Sequence, residues 1–180
     1  MKTLTLLRHA KSAWDDPIER DFDRPLNKKG RRAARTVGRE MRNRNLAFDL
    51  VLASPAARVV ETLQDVEAGY GQSFDLHFDE RIYLATAESL LELVRGTGDQ
   101  AAALLLVGHN PGLERLALLL TRGHDGELRI LLEEKYPTGA LAEISLPVER
   151  WSDVTEGSGT LERFIRPRDL DPELGPDQDG

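Results

Sequence analysis

The sequence predicts an α/β fold with a mostly parallel sheet that is covered by helices on both faces. Short apolar runs typical of strands alternate along the chain with helical segments, which is the order that builds such a sheet. The most apolar run, Ala101 to Val107, leads into the glycine-flanked turn Gly108-His109-Asn110-Pro111-Gly112, as a fully buried strand does. The 180 residues suffice for one domain with a substantial core.

The first strand, predicted at Thr3 to Leu7, places Arg8 and His9 at its carboxyl end, where open α/β sheets bind their ligands. The acidic stretch from Trp14 to Pro25 is predicted to be a loop, and Asn27 to cap a helix that ends near Arg44. The basic face of that helix is interpreted as solvated rather than as an anion-binding surface. Further strands are predicted over 48–53, 74–78, 101–107, 140–146 and 159–165, and further helices from Ser54-Pro55 onward, over 86–95 and over 113–121.

Composition restricts the classes of function. Asp and Glu outnumber Lys and Arg by 31 to 24, and the net charge of -7 disfavours sequence-independent binding of nucleic acid. The chain has no cysteine, so a disulfide framework and a thiol nucleophile are excluded. It has neither a leader segment nor a run of transmembrane length, so we expect a cytoplasmic protein that does not bind membranes. We expect one domain over 1–168 and a loosely packed or flexible acidic tail over 169–180.

Four polar residues, Arg8, His9, Arg58 and His109, follow predicted strands and are expected to meet in one crevice. Two arginines can hold a phosphoryl group and balance its charge, a task otherwise given to magnesium, so no metal or other cofactor is expected. A neutral imidazole can attack phosphorus and carry the phosphoryl group between two displacements, and His109 can donate a hydrogen bond to the phosphoryl oxygens.

A proton donor is needed when the leaving group is an alkoxide. Glu80, after the third strand, is the best-placed carboxyl in the sequence, and Asp79 is the second choice. A departing imidazole, with a reference pKa of roughly 6.5, depends less on such an acid. A different interpretation has the histidines ligate a metal with oxygens from Asp15 to Asp23, but the adjacent arginines disfavour it.

The motif Leu7-Arg8-His9-Ala10 resembles the hallmark of the histidine phosphatase superfamily, an Arg-His-Gly/Ala sequence after the first strand. The resemblance covers about residues 2 to 170, and within the superfamily the chain is similar to the small SixA-type phosphohistidine phosphatases. The supporting motifs are Ser54-Pro55-Ala56-Ala57-Arg58 with Thr62, Asp79-Glu80-Arg81-Ile82-Tyr83, Val107 to Gly112, Arg24-Pro25-Leu26, Gly30, Pro137-Thr138-Gly139 and Arg166-Pro167-Arg168-Asp169-Leu170.

This resemblance implies a three-layer α/β/α sandwich with a six-stranded, phosphoglycerate-mutase-like sheet. It implies that His9 is the phosphorylated nucleophile and that Arg8, Arg58 and His109 form the phosphate pocket. Ser12 and Asn110 are added as candidates for substrate binding. Ala10 replaces the commoner glycine of the superfamily motif, and Val59-Val60-Glu61 replaces a more usual Ala-x-Gln; neither change removes a catalytic group.

The segments between strands are short and leave no room for a cap over the pocket, which favours a phosphorylated protein as substrate. The expected activity is hydrolysis of protein phosphohistidine. A small-molecule phosphomonoesterase or mutase, and a catalytically silent phosphate-binding module, are the alternatives.

Overall fold

A six-stranded sheet runs through the middle of the structure, a computed structural model that describes residues 1–14 and 20–175. The strands are β1 (Lys2–Arg8), β2 (Leu50–Ala53), β3 (Leu76–Phe78), β4 (Ala103–Gly108), β5 (Leu141–Leu146) and β6 (Thr160–Ile165). Their order across the sheet is β3-β2-β4-β1-β5-β6. The strands β1 to β4 run parallel to one another. The strand β5 pairs in antiparallel fashion with both β1 and β6, so β6 runs in the same direction as β1, and β5 is the one antiparallel strand of these six. The prediction of a mostly parallel six-stranded sheet is therefore confirmed.

Helices cover both faces of this sheet, as the three-layer prediction requires. One apolar core lies between the sheet and the first two helices, and the other lies between the sheet and the next three. Successive side chains of a strand point to opposite faces of the sheet and therefore pack in different cores. Leu6 and Leu106 lie in one core, and Leu7 and Val107 lie in the other. The helices are α1 (Lys28–Asn43), α2 (Ala57–Tyr70), α3 (Ala87–Arg95), α4 (Gly112–Leu120), α5 (Glu127–Glu134) and α6 (Pro167–Leu170). None of these helices in the described ranges is long and apolar enough to cross a bilayer.

The first helix begins as the sequence predicts and carries its basic face outward. The Asn27 side chain accepts a hydrogen bond from the Gly30 amide at 2.8 Å, which caps the helix. Several arginines of the exposed face contact carboxylates of α2 and of the C-terminal segment rather than forming a free cationic surface. The ion pairs join Arg31 to Glu61, Arg35 to Asp65, and Arg32 to Asp171 and Glu173.

Three local features differ from the sequence predictions. The strands β2 and β3 begin at Leu50 and Leu76, two residues later than expected, because Phe48 and Phe74 pack edge to face at 5.8 Å ahead of the ladder. The helix α5 carries no sequence prediction, because it is short and buries one residue, Leu132. In the acidic stretch from Trp14 to Pro25, Asp21–Asp23 forms one turn of 3-10 helix, and residues 15–19 lie outside the described ranges.

The described part of the predicted C-terminal tail is packed against the domain, which corrects the expectation of loose packing beyond residue 168. The segment contributes α6 and a 3-10 turn, Pro172–Leu174, and the Leu174 side chain is 5% exposed. Acidic residues that suggest a solvated tail pair instead with arginines: Asp169 with Arg166, and Asp171 with Arg32. Residues 176–180 lie outside the described ranges, so the expectation for them stays a prediction.

Candidate active site

The central strands β1, β2 and β4 end at the same edge of the sheet, so the residues that follow them lie close together. The His9 amide donates to the Gly108 carbonyl at 3.1 Å, and the Ser54 amide donates to the Val107 carbonyl at 3.1 Å. These bonds continue the β1–β4 and β2–β4 ladders by one residue, so His9, Ser54 and His109 follow adjacent strands at the carboxyl edge. The His9 and His109 rings lie 5.4 Å apart between centroids.

The His9 ring is held in one tautomer by the backbone. Its Nδ1 lies 2.7 Å from the Ala10 carbonyl oxygen, and because a carbonyl oxygen only accepts, Nδ1 carries the hydrogen. The Ala10 amide in turn donates to the Thr62 hydroxyl at 2.9 Å, and that hydroxyl donates to the Arg58 carbonyl at 2.6 Å. A neutral ring bonded in this way leaves the lone pair of Nε2 available.

The surroundings of His9 keep its ring neutral. Burial is the largest influence and lowers the pKa of His9 well below its ordinary value of 6.5, against the opposing effect of the Ala10 hydrogen bond. The positive charges of Arg8 and Arg58, together with His109, lower the pKa further. The side chain is 6% exposed, so a buried neutral imidazole stands in a positively charged site.

The loop before β5 anchors Arg8 and the end of β1. The Arg8 Nη1 donates to the Tyr136 carbonyl at 2.9 Å, and the Asn110 amide donates to the same oxygen at 3.0 Å. Gly139 has φ of 75°, a conformation that glycine adopts without strain, and its amide donates to both the Arg8 and His9 carbonyls at 3.1 and 2.9 Å. The Asn110 side chain thus orients the loop as well as lining the site.

Arg58, in the first turn of α2, already holds a carboxylate. Its Nη1 donates to the Asp21 carbonyl at 2.7 Å and its Nη2 to the Asp21 carboxylate at 3.0 Å. Tyr83 donates to the same carboxylate at 2.5 Å, and Arg24 does so at 2.8 Å while also contacting the Ser12 hydroxyl. Burial alone raises the pKa of Asp21, but the hydrogen bonds from Tyr83 and Arg24 and the charge of Arg58 lower that pKa well below its ordinary value. Asp21 is therefore an ionised acceptor, not a proton donor, in this arrangement.

His109 accepts rather than donates on the side that faces Arg58. The Arg58 Nη2 lies 3.3 Å from His109 Nδ1, and because a guanidinium only donates, Nδ1 is unprotonated. The hydrogen is then on Nε2, 2.8 Å from the buried Ser54 hydroxyl. Burial, followed by the charge of Arg58, lowers the pKa of His109 to about 3. For His109 to donate to a phosphoryl oxygen through Nδ1, its tautomer must change, and Ser54 must donate to Nε2.

The side chains surround a cavity of about 250 Å³ with a partly apolar rim. Two rim residues are large, apolar and exposed: Trp14, 65% exposed and stacked on Arg24 at 3.6 Å, and Leu84, 56% exposed. Leu84 has φ of 50°, an uncommon conformation for a residue with a side chain. The cavity is lined by Arg8, His9, Lys11, Ser12, Trp14, Asp21, Arg24, Arg58, Leu84, His109, Asn110 and Thr138.

Neither Glu80 nor Asp79 lines this cavity, which corrects the expectation that these carboxyls are the best placed for the site; their role as proton donors stays a prediction. Glu80 begins an exposed 3-10 turn, and neither residue lines the cavity. Asp79 bonds to Arg81, at 2.6 Å, and this hydrogen bond lowers the pKa of Asp79. The turn directs the chain so that Tyr83 and Leu84, rather than the preceding carboxylates, reach the site.

Three residues of the site, Asp21, Tyr83 and Ser54, were not predicted from the sequence to have a role there. Asp21 is one of several acids in a stretch without periodicity, and nothing local distinguishes it. Ser54 had a usable signal, because it follows β2 directly, as His9 follows β1. The alternative of a metal site draws on the acids from Asp15 to Asp23, of which Asp15, Asp16 and Glu19 lie outside the described ranges. Within the described ranges, no three His, Asp or Glu side chains form a group that could hold a metal.

Comparisons with known proteins agree with this arrangement. Residues 4–83 match the model of the histidine phosphatase superfamily, branch 1. An uncharacterised protein of Mycobacterium tuberculosis is 37% identical over 164 residues, which are 90% of this chain and 100% of that protein.

Two solved structures are also similar, both assigned to the phosphohistidine phosphatase SixA. The one from Agrobacterium tumefaciens is 32% identical, with a TM-score of 0.77, and the match covers 92% of this chain and 97% of that one. The one from Nakamurella multipartitia is 28% identical, with a TM-score of 0.80, and the match covers 92% and 96%.

Proposed function

Since the chain belongs to the histidine phosphatase superfamily, in its SixA-type branch, and family and fold support phosphatase activity, we propose that it hydrolyses protein phosphohistidine through a phosphorylated His9. The observation that carries this proposal is the 2.7 Å hydrogen bond from His9 Nδ1 to the Ala10 carbonyl. It fixes the hydrogen on one nitrogen and leaves the Nε2 lone pair as the nucleophile. Arg8 and Arg58 beside it supply the charge that attracts a phosphoryl group.

In the proposed reaction, His9 Nε2 attacks phosphorus, an N–P bond forms, and the bond from phosphorus to the leaving group breaks. The leaving nitrogen or oxygen keeps the bond's electron pair and takes a proton from solvent water. Water then attacks the phosphoryl group, the N–P bond of His9 breaks, and inorganic phosphate leaves while the neutral ring is restored. The two guanidinium groups balance the charge on the phosphoryl oxygens during both steps, so the proposal needs no metal ion.

The carboxyls near the site favour imidazole as the leaving group, because none of those discussed above is placed and protonated to donate a proton. The carboxylate beside Arg58, Asp21, is ionised, and Glu80 and Asp79 do not line the cavity. An alkoxide, whose conjugate acid is very weak, depends on a proton donor, whereas an imidazole with a reference pKa of roughly 6.5 departs more easily. The exposed Trp14 and Leu84 at the rim suit contact with the surface of a protein substrate in the cytoplasm.

The first prediction is that His9→Ala abolishes hydrolysis of p-nitrophenyl phosphate, because no other neutral nitrogen of the site has the same geometry. Incubation of the wild type with ³²P-labelled phosphohistidine protein, followed by acid and alkaline treatment, should give an acid-labile, alkali-stable label on His9. Residual turnover in the variant comparable to that of the wild type would overturn the mechanism. Binding of phosphate without labelling or turnover would instead indicate a silent phosphate-binding module.

A panel of substrates tests the substrate class separately. We expect kcat/KM to be highest for a phosphohistidine protein, lower for a phosphoserine peptide and lowest for sugar phosphates. If a sugar phosphate is the best substrate, the chain is a small-molecule phosphomonoesterase or mutase. EDTA should leave all activities unchanged.

A further inference from the structure

A third arginine, Arg24, lines the cavity around His9 together with Arg8 and Arg58. Its side chain is largely buried, and its Nε has no hydrogen-bond partner among the described residues. The charge of Arg24 reaches the site, because it adds to burial and to the charge of Arg58 in lowering the pKa of His109. The proposed mechanism uses the other two guanidinium groups and leaves Arg24 without a role.

The backbone fixes Arg24 beside the segment that follows β1. Ser12 and Leu26 form an isolated antiparallel bridge, and the Ala13 amide next to it donates to the Pro25 carbonyl at 2.9 Å. Arg24 therefore directly precedes a short paired segment whose partner is the chain that leaves β1. Its place beside the active site is set by these backbone contacts.

The guanidinium group of Arg24 is held in one plane. Trp14 stacks on it, with 3.6 Å between the Arg24 Cζ and the ring centroid. Within that plane, Nη1 donates to the Ser12 hydroxyl, and Nη2 donates to the Asp21 carboxylate at 2.8 Å. An aromatic face and two acceptors thus orient the group before any ligand binds, so little side-chain freedom is lost on binding.

The Asp21 carboxylate marks where this arginine can bind an oxyanion. Arg24 donates to one carboxylate oxygen and Arg58 to the other, at 2.8 and 3.0 Å. Arginine binds carboxylates and phosphoryl groups with the same fork of N–H groups, so a phosphoryl group in that place contacts the same two guanidinium groups. A phosphoryl group carries about 1.5 to 2 negative charges, which balance two guanidinium groups better than one carboxylate does.

The exposure of the side chains indicates which of them leaves when a phosphoryl group enters. The Asp21 side chain is 43% exposed, whereas the side chains of Arg24 and Arg58 are 13% and 3% exposed. A carboxylate at the surface is readily solvated by water, while the two guanidinium groups are enclosed by protein. The exchange therefore moves Asp21 and leaves both arginines in place.

We propose that Arg24 is a third phosphoryl-binding arginine, which together with Arg58 contacts the oxygens of the substrate's phosphoryl group when Asp21 leaves. Trp14 and Ser12 are positioning residues that hold its guanidinium group. The inference deepens the proposed function and rests on it for the phosphoryl group as ligand. If Arg24 only held the loop around Asp21, it would contribute nothing to phosphate binding once that carboxylate is removed, and the test uses this difference.

The test measures binding of inorganic phosphate by isothermal titration calorimetry in Asp21→Ala, where the carboxylate that Arg24 holds is absent. Adding Arg24→Gln should raise the Kd for phosphate about tenfold, because hydrogen bonds between charged groups contribute on this scale. The matched control adds Arg20→Gln instead, since Arg20 is an exposed arginine of the same segment that pairs with Asp23 and does not line the cavity. The control should keep the Kd within about twofold of Asp21→Ala.

Equal Kd values for Asp21→Ala with and without Arg24→Gln would overturn the proposal and make Arg24 a structural residue of the loop. A loss of the same size in the Arg20 control would also overturn it, because net charge alone would then attract phosphate. Arg24→Lys keeps the charge but loses the fork and the stacked plane, so its Kd should lie between those of arginine and glutamine. Thermal unfolding of each variant shows whether it is folded.

A second measurement does not require that the glutamine variant folds. In ¹H–¹⁵N NMR spectra of Asp21→Ala, the Nε signal of Arg24, assigned by its loss in Arg24→Lys, should shift when phosphate is added. The Nε signal of Arg35 should not shift, because this atom bonds to Asp65 and the residue does not line the cavity. An Arg24 signal that stays in place at saturating phosphate would contradict the proposal.

Phosphate binding and turnover separate this inference from the proposed function. Hydrolysis of phosphohistidine protein, together with phosphate binding that Arg24→Gln leaves unchanged, would overturn the third arginine and leave the function intact. Phosphate binding that depends on Arg24, in a chain that hydrolyses no phosphohistidine protein, would overturn the function and leave the binding residue.

Discussion

At the scale of single residues, the site depends on which nitrogen of each histidine carries a hydrogen. His9 is fixed by a backbone carbonyl, which cannot donate, so its tautomer is the same with and without a ligand. His109 is fixed by Arg58 on one side and by Ser54 on the other, and the Ser54 hydroxyl can either accept or donate. The Nε2 lone pair of His9 is therefore available with and without a ligand. His109, by contrast, can change its tautomer when Arg58 binds a phosphoryl group.

The serine gives the second prediction. Ser54→Ala should lower kcat for p-nitrophenyl phosphate about tenfold, the equivalent of one hydrogen bond of about 1.4 kcal/mol, because nothing then donates to His109 Nε2. In the wild type, ¹⁵N NMR should show the hydrogen of His109 on Nε2 without ligand and on Nδ1 with bound tungstate, a mimic of phosphate. In the variant, tungstate should not shift the tautomer. A shift that persists in the variant would show that Ser54 has no part in it.

The third prediction concerns Asp21, whose carboxylate lies where Arg58 would hold a phosphoryl oxygen. Asp21→Asn should lower KM for p-nitrophenyl phosphate about fivefold, because the substrate no longer competes with a carboxylate for Arg58. Asp23→Asn is the control, since Asp23 is an exposed neighbour that pairs with Arg20. A drop in kcat for alkyl phosphates, without the change in KM, would instead make Asp21 a proton donor.

At the scale of elements, the close contact of α1 and α2 determines where Arg58 lies. A Cβ at Gly38 of α1 would lie 2.2 Å from the Val66 carbonyl oxygen of α2, so only glycine lets the two backbones come this close. The position of α2, in turn, sets the position of Arg58 and of Thr62, which bonds to the Ala10 amide. Helix packing and the geometry of the site are therefore connected through one helix.

The fourth prediction follows from that contact. Gly38→Ala should lower the free energy of unfolding by about 1–3 kcal/mol, because the added methyl group forces α1 away from α2. Urea denaturation measures the change, with Lys28→Ala, at an exposed position of the same helix, as the control. If the two variants are equally stable, the contact between the helices is looser than the structure indicates.

At the scale of the whole molecule, the buried histidines link folding to pH. Their pKa values are lowered in the folded chain, so they stay neutral there, while in the unfolded chain they bind protons below about pH 6.5. The unfolded state then binds more protons than the folded state, so stability decreases as the pH falls below about 6.5. For His109 this decrease continues to about pH 3, its pKa in the folded chain.

The fifth prediction is that His109→Asn removes part of this pH dependence. At pH 5, protonation of unfolded His109 should cost about 2 kcal/mol of stability relative to pH 7, from about 1.4 kcal/mol for each pH unit below 6.5. The difference in the free energy of unfolding between pH 7 and pH 5, from urea denaturation, should therefore be smaller in the variant by about that amount. An unchanged difference in the His109 variant would contradict the linkage.

The sequence by itself determined the sheet and the four residues that follow its strands. Strand runs and glycine-bounded turns are local patterns, and the carboxyl ends of parallel strands meet at one edge, so Arg8, His9, Arg58 and His109 were predictable as a cluster. The motif around His9 predicted the family for the same reason, since its residues are contiguous.

Only the tertiary structure decided which carboxylate enters the site and what each imidazole nitrogen bonds to. Asp21 reaches Arg58 across 37 positions of sequence. Glu80 was the best carboxyl by position along the chain, yet a single 3-10 turn directs it outward. Such contacts depend on the direction in which a side chain leaves a loop, and that direction is set by packing between distant segments rather than by local pattern.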